Sequence, residues 1–446
     1  MRSRILILVI LLVGLWGQGV GAQEISSGNL LGGPGGRPQG VIVRTNLHLL
    51  GLQNLCLLEG CKVLESVDGT LGAVFLLAPP LGLNPNTFAA TLRLLPGILD
   101  AEIDQILSLL PPTTLTAAVP KGLMDSISVN YYGSVVWDGY AHQPAAELVH
   151  VSEAQSTFHV SGAGVVADID TGVDPNHPAL RGVLLPGYDF TRNHVGGSEM
   201  ADLTNPVNMD CNPCQAAYVN QSTAAMLDQS TAAMLDGTAY SSFGHGTMVA
   251  GVIHLVAPTA RIMPLKTFYA NGSGYLSDIV RAIYYAVQNH AHVINMSFDL
   301  RANSYELSRA IHYSAGHNVI NVASAGNDGR EEKVYPAGLA NVMGVASTND
   351  FGQRSNFSNY GDQIVWVAAP GEGIITTYPF GTYAAGWGTS FSSPFVAGTA
   401  SLLVNLQPNC DQAQAAAAVS HAQRIGAGMG NGLLNIESAL SAFDSN

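Results

Sequence analysis

The chain has 446 residues, 47% of them hydrophobic and 11% charged, which is enough apolar side chain for a large core with a smaller domain beside it and excludes a disordered polymer. A formal charge of -14 with only 18 Lys and Arg excludes a nucleic-acid binder, because phosphate recognition needs clustered cations. Five cysteines are too few for a disulfide-built scaffold, so the core must carry stability.

At the start of the chain, Arg2 and Arg4 precede an apolar run from Ile5 to Trp16, and the small residues Val20-Gly21-Ala22 follow. This is the pattern of a cleavable export signal over residues 1–22, and the run is too short to cross about 30 Å of hydrocarbon. The expectation is a secreted, periplasmic or cell-surface protein with no stable membrane anchor. After a Gly/Pro-rich loop (Gly32 to Gly40), the pattern predicts a strand Val41–Arg44, a helix Leu47–Leu58 and strands Val63–Val67 and Ala73–Leu77. A helix Asn86–Leu95 and a strand Ile98–Ile106 complete a small βαββαβ unit within residues 41–110, an α+β sheet with both helices on one face. Pro111 to Pro120 has little periodicity, and residues 111–146 read as a linker and processing region.

From residue 147 to 446, apolar strands alternate with helical segments. Strands are expected at Gly164–Ile169, Ile262–Thr267, Val293–Ser297, Val319–Ala323, Val342–Ala346 and Val365–Ala368. Helices are expected after His245 and over Leu276–Asn289, Leu307–His317 and Ser390–Leu406. Continuous apolar strands separated by helices imply an α/β domain with a doubly wound, mostly parallel sheet buried on both faces. Its ligand site should lie at the carboxyl ends of the strands, where Asp170 and Asn327 fall. Between Asp170 and His245 the octapeptide Gln221–Asp228 recurs verbatim as Gln229–Asp236, which reads as a duplication that lengthened a surface loop or extended a helix rich in Ala, Met and Leu. Cys211 and Cys214 in the same stretch read as a surface disulfide rather than half a zinc site or a redox pair, because no second pair stands at zinc spacing.

Three segments carry the chemistry, in the order Asp170-Thr171-Gly172, Gly244-His245-Gly246-Thr247 and Gly388-Thr389-Ser390. A serine hydroxyl attacks an amide at neutral pH only when a histidine takes its proton and a carboxylate orients that histidine. Asp-Thr-Gly alone also suits an aspartic protease, but no second such tripeptide is present and the other two motifs would be left unexplained. Ser390 opens a helix whose dipole and first N–H groups favour negative charge, with Pro394 expected inside its first turn. Asn327, in Ala325-Gly326-Asn327-Asp328-Gly329, is the uncharged amide available as a second oxyanion donor.

These motifs, with Ala163–Ala167, Asp174–Pro178, Val293–Ser297, Phe357–Gly361 and Ala368–Gly371, make the chain resemble the subtilisin-like (subtilase) serine endopeptidases from about Gly162 onward. The resemblance implies Asp170, His245 and Ser390 as the triad and Asn327 with the Ser390 N–H as the oxyanion hole. It implies a polypeptide substrate lying as an extended strand between two edges, with Gly272, Ser273, Gly274, Ser297, Ala325 and Gly326 as binding residues. The family usually has a glycine just after that edge serine; here Phe298-Asp299-Leu300 stands instead, with Asp299 either a selector of basic side chains or a solvated turn residue. The N-terminal unit resembles the family's inhibitory, ferredoxin-like propeptide, which makes it an intramolecular inhibitor of an autoprocessed zymogen. No cofactor is needed for the chemistry and no metal ligand is assigned. Structural calcium is compatible with the family but not assignable, since Ala179 stands where a calcium-binding carboxylate is common. The rival reading is a non-catalytic subtilase-fold binding or scaffold protein, and the intact triad argues against it.

Overall fold

Alternation along one short strand shows how the two parts of the molecule are joined. In β1 (Val41–Thr45), Val41 and Val43 face one way into a core shared with Leu52, Phe75, Phe88 and Leu92, while Ile42 faces the other way into a core shared with Ile279, Ile283 and Ile311. Both faces of this small sheet are therefore buried: one under its own helices, His48–Glu59 and Pro85–Leu92, the other against the large domain. With β2 (Lys62–Ser66), β3 (Val74–Ala78) and β4 (Ile98–Ile103), β1 forms an antiparallel sheet in the order β2-β3-β1-β4. A disulfide between Cys56 and Cys61 ties the end of the first helix to β2. These coordinates are a computed structural model, which describes residues 36–109, 119–203, 225–226 and 240–445. The expected signal segment, Cys211, Cys214 and all of the tandem repeat except Ala225–Met226 lie outside the described residues.

The single strand expected over Ile98–Ile106 is divided. β4 stops at Ile103, and β5 (Ile106–Ser108) leaves the small sheet to pair antiparallel with Ser273–Tyr275 of the large domain. Residues 121–146, read from sequence as linker, instead fold onto the large core through the hairpin β6 (Ser128–Tyr131) and β7 (Ser134–Trp137) and two short helices. Leu123 and Tyr140 are fully buried, and the Tyr140 hydroxyl donates to the Gly251 carbonyl at 2.8 Å. Such anchors are too few and too irregularly spaced to register as a periodic element.

The large domain is built on β8 (Val165–Asp170), β9 (Tyr188–Asp189), β10 (His194–Val195), β12 (Arg261–Lys266), β14 (Val293–Met296), β15 (Ile320–Ser324), β16 (Met343–Thr348) and β17 (Val367–Pro370); β11 (Ala225–Met226) and β13 (Ser273–Tyr275) lie apart from this sheet. Its order is β10-β9-β12-β8-β14-β15-β16-β17, parallel throughout except between β9 and β10. The chain leaves β8 toward β12 and then returns to its other side at β14, so the strand order reverses at β8 and opens a crevice beyond its carboxyl end. Helices cover both faces: His245–Val256 and Thr389–Leu406 on one, Leu276–Gln288 and Tyr305–Ala315 on the other. A hairpin of β18 (Ile374–Tyr378) and β19 (Thr382–Gly386) packs over the His245 helix, and β11 pairs with β19. Among the described residues no helix is long and apolar enough to cross a membrane.

Candidate active site

Asp170 is the last residue of β8, at the crevice, and is 1% exposed. His245 opens its helix directly beside it. That approach depends on Gly246, where a Cβ would stand 2.2 Å from the Gly172 carbonyl oxygen, a distance no side chain tolerates. His245 Nδ1 lies 2.8 and 2.9 Å from the two Asp170 carboxylate oxygens. A carboxylate only accepts, so Nδ1 carries the proton and Nε2 of the neutral ring keeps its lone pair.

A buried acid holds this turn from behind. Glu199, fully buried, accepts from the Thr171 hydroxyl at 3.3 Å, the Gly244 N–H at 2.6 Å and the Thr247 hydroxyl. It therefore ties the residue after Asp170 to both flanks of His245. Burial pushes the Glu199 carboxyl up to about 8, against the lowering effect of its donors and of Lys266. Lys266, also fully buried, donates to the Thr171 and Phe268 carbonyls and to Asp202 at 2.8, 2.6 and 2.8 Å. Sequence reasoning missed Glu199: it sits in a Gly- and Asp-rich stretch with no motif, and only the fold brings it to the site. It also missed Asp168, although an acid two residues before Asp170 in an apolar strand was a visible signal.

Ser390 is the second residue of its helix, 8% exposed. Pro394 is the sixth, beyond the first turn where the sequence placed it, because the helix begins at Thr389. Its missing N–H deprives the Ser390 carbonyl of an intrahelical partner. The Ser297 hydroxyl donates to that carbonyl at 3.0 Å, and the Ser390 hydroxyl donates to the Ser297 carbonyl at 3.1 Å. Ser297 Oγ in turn receives the Ser393 hydroxyl at 2.9 Å and the Asn295 amide at 3.0 Å, whose other hydrogen goes to Asp168 at 3.1 Å. In this rotamer, among the described residues, Ser390 Oγ is bonded to Ser297 and not to His245, while the His245 ring lies 5.7 Å from that of Phe391, the next residue.

Asn327, on the loop after β15, has a fixed orientation. Its Oδ1 accepts from the Thr389 N–H and hydroxyl, both at 2.9 Å, which leaves the Nδ2 hydrogens as donors beside the start of the Ser390 helix.

Of the expected substrate-binding residues, Gly272, Ser273 and Gly274 form an edge that β5 already occupies. Ser108 stands opposite Ser273, Leu107 opposite Gly274, and the Leu109 N–H donates to the Gly272 carbonyl at 2.8 Å. Ser297 braces Ser390. Ala325 is fully buried with its N–H on Val345, and Gly326 gives its N–H to Thr389 and its carbonyl to Asn359, so these two form the floor beneath Asn327.

The model of the Subtilase family matches residues 162–436, most of the large domain and all of the residues just described from Asp170 to Ser390. The chain belongs to the subtilase family. It is 31% identical over 290 residues to a thermophilic serine proteinase of Bacillus sp. (strain AK1), covering 64% of each chain, and so spans just under two thirds of that relative. It is 33% identical over 265 residues to thermitase of Thermoactinomyces vulgaris, covering 59% of this chain and 83% of that one. Among solved structures, that of a lanthipeptide protease superposes with a TM-score of 0.54 at 23% identity, covering 68% of this chain and 94% of the other, which supports the fold. A protease structure from Pseudoalteromonas arctica gives 0.52 at 26% identity, covering 66% and 94%.

In the turn Asp174–Leu180, Ala179 offers no side-chain oxygen, and the Asp174 carboxylate accepts from the N–H groups of Asn176 and Phe380, both at 2.9 Å.

Proposed function

We propose that this subtilase is an exported endopeptidase that cleaves peptide bonds through an acyl-enzyme on Ser390 and is made as a zymogen silenced by residues 41–110. The observation that carries the reading is the two-oxygen contact of Asp170 with His245 Nδ1, made at the mouth of the helix that presents Ser390 and beside the oriented amide of Asn327.

The chemistry follows from that arrangement. Rotation about the Ser390 Cα–Cβ bond swings Oγ from the Ser297 carbonyl toward His245. Nε2 takes the hydroxyl proton as Oγ attacks the substrate carbonyl carbon, and Asp170 stabilises the resulting imidazolium. The negative oxygen of the tetrahedral intermediate receives hydrogen bonds from Asn327 Nδ2 and the Ser390 N–H, at the positive end of the helix. Nε2–H then protonates the departing amine. Water repeats the sequence on the ester, releasing the carboxylic acid and restoring Ser390.

Silencing is supported by how the N-terminal unit docks. Glu102 and Asp104 lie two apart at the end of β4 and so point the same way. Glu102 accepts from the Ser304 hydroxyl and the Tyr305 and Glu306 N–H groups at 2.6, 3.1 and 3.1 Å, at the start of one helix. Asp104 accepts from the Ser277 N–H and hydroxyl, both at 2.8 Å, at the start of another. Two carboxylates thus complement the positive ends of two helices. Arg37 bridges Asp104 and Asp278 at 3.0 and 3.1 Å, and β5 is laid from there into the cleft.

The test is to incubate the purified precursor, sequence any new N-terminus, and probe the product with an unfolded protein substrate and a fluorophosphonate. Cleavage and labelling that vanish in Ser390→Ala, with a rate loss of about 10⁴- to 10⁶-fold, are expected. A processed protein that neither cleaves nor labels, and that Ser390→Ala leaves indistinguishable, would overturn the reading.

A further inference from the structure

With β5 docked, a cavity of about 330 Å³ lies between β5 and the segment Asp299–Ala302, closed on a third side by Asn327 and Asp328; when β5 leaves, the Asp299–Ala302, Asn327 and Asp328 walls remain and open to substrate. Its position gives it a role, on the reading that Asn327 faces the attacked carbonyl. The residue supplying that carbonyl must have its Cα within a few ångströms of Asn327, and this cavity is the room that adjoins it.

The walls are acidic and unevenly paired. Arg301 reaches Asp328 at 2.8 Å across the rim, with the arginine side chain 59% exposed. Asp299 is half-buried, and among the described residues nothing donates a hydrogen bond to it and no cation forms an ion-pair contact with it. Its backbone leaves it little freedom, since Leu300 exchanges both hydrogen bonds with Tyr335 at 2.7 and 2.8 Å. The carboxyl carbon stands over Gly326, where a Cβ would be 3.4 Å away and where φ is +93°, so the glycine gives the acid its place against the Asn327 wall. A half-buried carboxylate that no protein cation occupies is left to form a charge-assisted hydrogen bond with a cation brought by a ligand. Lysine and arginine also carry an aliphatic stem, which can lie against Leu300, another residue lining the cavity.

We propose that Asp299 makes this cavity select a lysine or arginine side chain in the residue whose carbonyl Ser390 attacks. This deepens the endopeptidase reading and rests on it. Asp299 acts on which substrate is bound well and takes no part in moving protons.

The experiment uses the processed protein and a set of fluorogenic peptides that differ only in the residue before the reporter: Lys, Arg, Leu or Glu. At pH 8, kcat/KM for Lys or Arg should exceed that for Leu at least tenfold, with Glu the poorest. In Asp299→Asn the Lys-to-Leu ratio should fall tenfold or more, whatever the absolute rates, while Asp328→Asn, whose partner is Arg301, should move it less. A wild-type preference for Leu, or a ratio unmoved by Asp299→Asn in a protein whose Ser390 still takes a fluorophosphonate label, overturns the proposal and leaves the endopeptidase reading standing. No cleavage of any peptide together with no labelling overturns the endopeptidase reading, and this inference with it.

Discussion

Ser297 supplies to the nucleophile's helix the hydrogen bond that Pro394 withholds: its hydroxyl meets the Ser390 carbonyl at 3.0 Å, where residue 394 would otherwise donate an N–H. A coupling between two positions far apart in sequence follows. Ser297→Ala should cost about 1–3 kcal/mol in urea unfolding by leaving a buried carbonyl unpaired. Pro394→Ala restores an N–H at that carbonyl, so the cost of Ser297→Ala should be clearly smaller in the Pro394→Ala background. Additive costs in the double-mutant cycle would show that the two residues do not serve the same oxygen.

Asn327→Ala removes a donor that acts on charge developed only in the transition state. The expected result is a kcat lower by about 10²- to 10³-fold with KM little changed. A loss confined to KM, measured on one peptide over a range of concentrations, would place Asn327 in ground-state binding instead.

Glu199 sets a pH dependence of stability. Burial raises its folded-state pKa from the ordinary 4.5 to about 8, so between those values the folded chain holds a proton that the unfolded chain has released. Its contribution is complete below about 4.5 and is lost as pH rises through about 8. Glu199→Gln keeps an oxygen for Gly244 and Thr171 and can donate to the Thr247 hydroxyl, which then reverses. Urea midpoints across pH 5 to 9 should therefore decline less steeply in Glu199→Gln than in the wild type; parallel curves would rule this carboxyl out as the source.

The docking acids should govern latency. Each carboxylate at a helix start contributes about 0.5–2 kcal/mol. In the full chain, Glu102→Gln combined with Asp104→Asn should therefore raise hydrolysis of a small peptide before processing by about 10- to 100-fold, as β5 leaves the edge at Ser273. Unchanged latency in a folded double variant would mean that the remaining contacts, such as Ile42 and the Arg44–Glu306 ion pair, hold the unit without these two acids.

Asp299 links substrate choice to pH. Burial, then the charge of Asp328, push its carboxyl up to about 6, with Glu332 adding to the rise and Arg301 opposing it. The charged form that favours a basic side chain is lost as pH falls through that value. The Lys-to-Leu ratio of kcat/KM should drop between pH 7 and 5 and do so less in Asp299→Asn, which lacks that carboxyl.

Some elements were fully legible because their signal is local. The helix at His245 and the strand at Val293 are mostly apolar, and glycines flank His245. The helix expected over Asn86–Leu95 stops at Leu92, ahead of Pro96-Gly97, so its end was read too far. β18 and β19 escaped notice because every residue of β18 and all but the first of β19 are buried, which removes the alternation that marks a half-buried strand. Glu199 and Ser297 act on the triad through contacts across the fold, which residue type and spacing do not encode.

The amino-acid sequence alone determined the layered α/β architecture, the order of the strands' apolar runs and the chemical identity of acid, imidazole, alcohol and amide, since these depend on periodicity and on functional groups. Only the tertiary structure decided which oxygen fixes Asn327, which hydroxyl mends the helix at Pro394, which acid stands behind Thr171, and that β5 leaves its own sheet for a foreign edge. Those outcomes rest on hydrogen bonds and burial between segments tens to hundreds of residues apart, and such partners exist only once the sheet has brought its carboxyl ends to one rim.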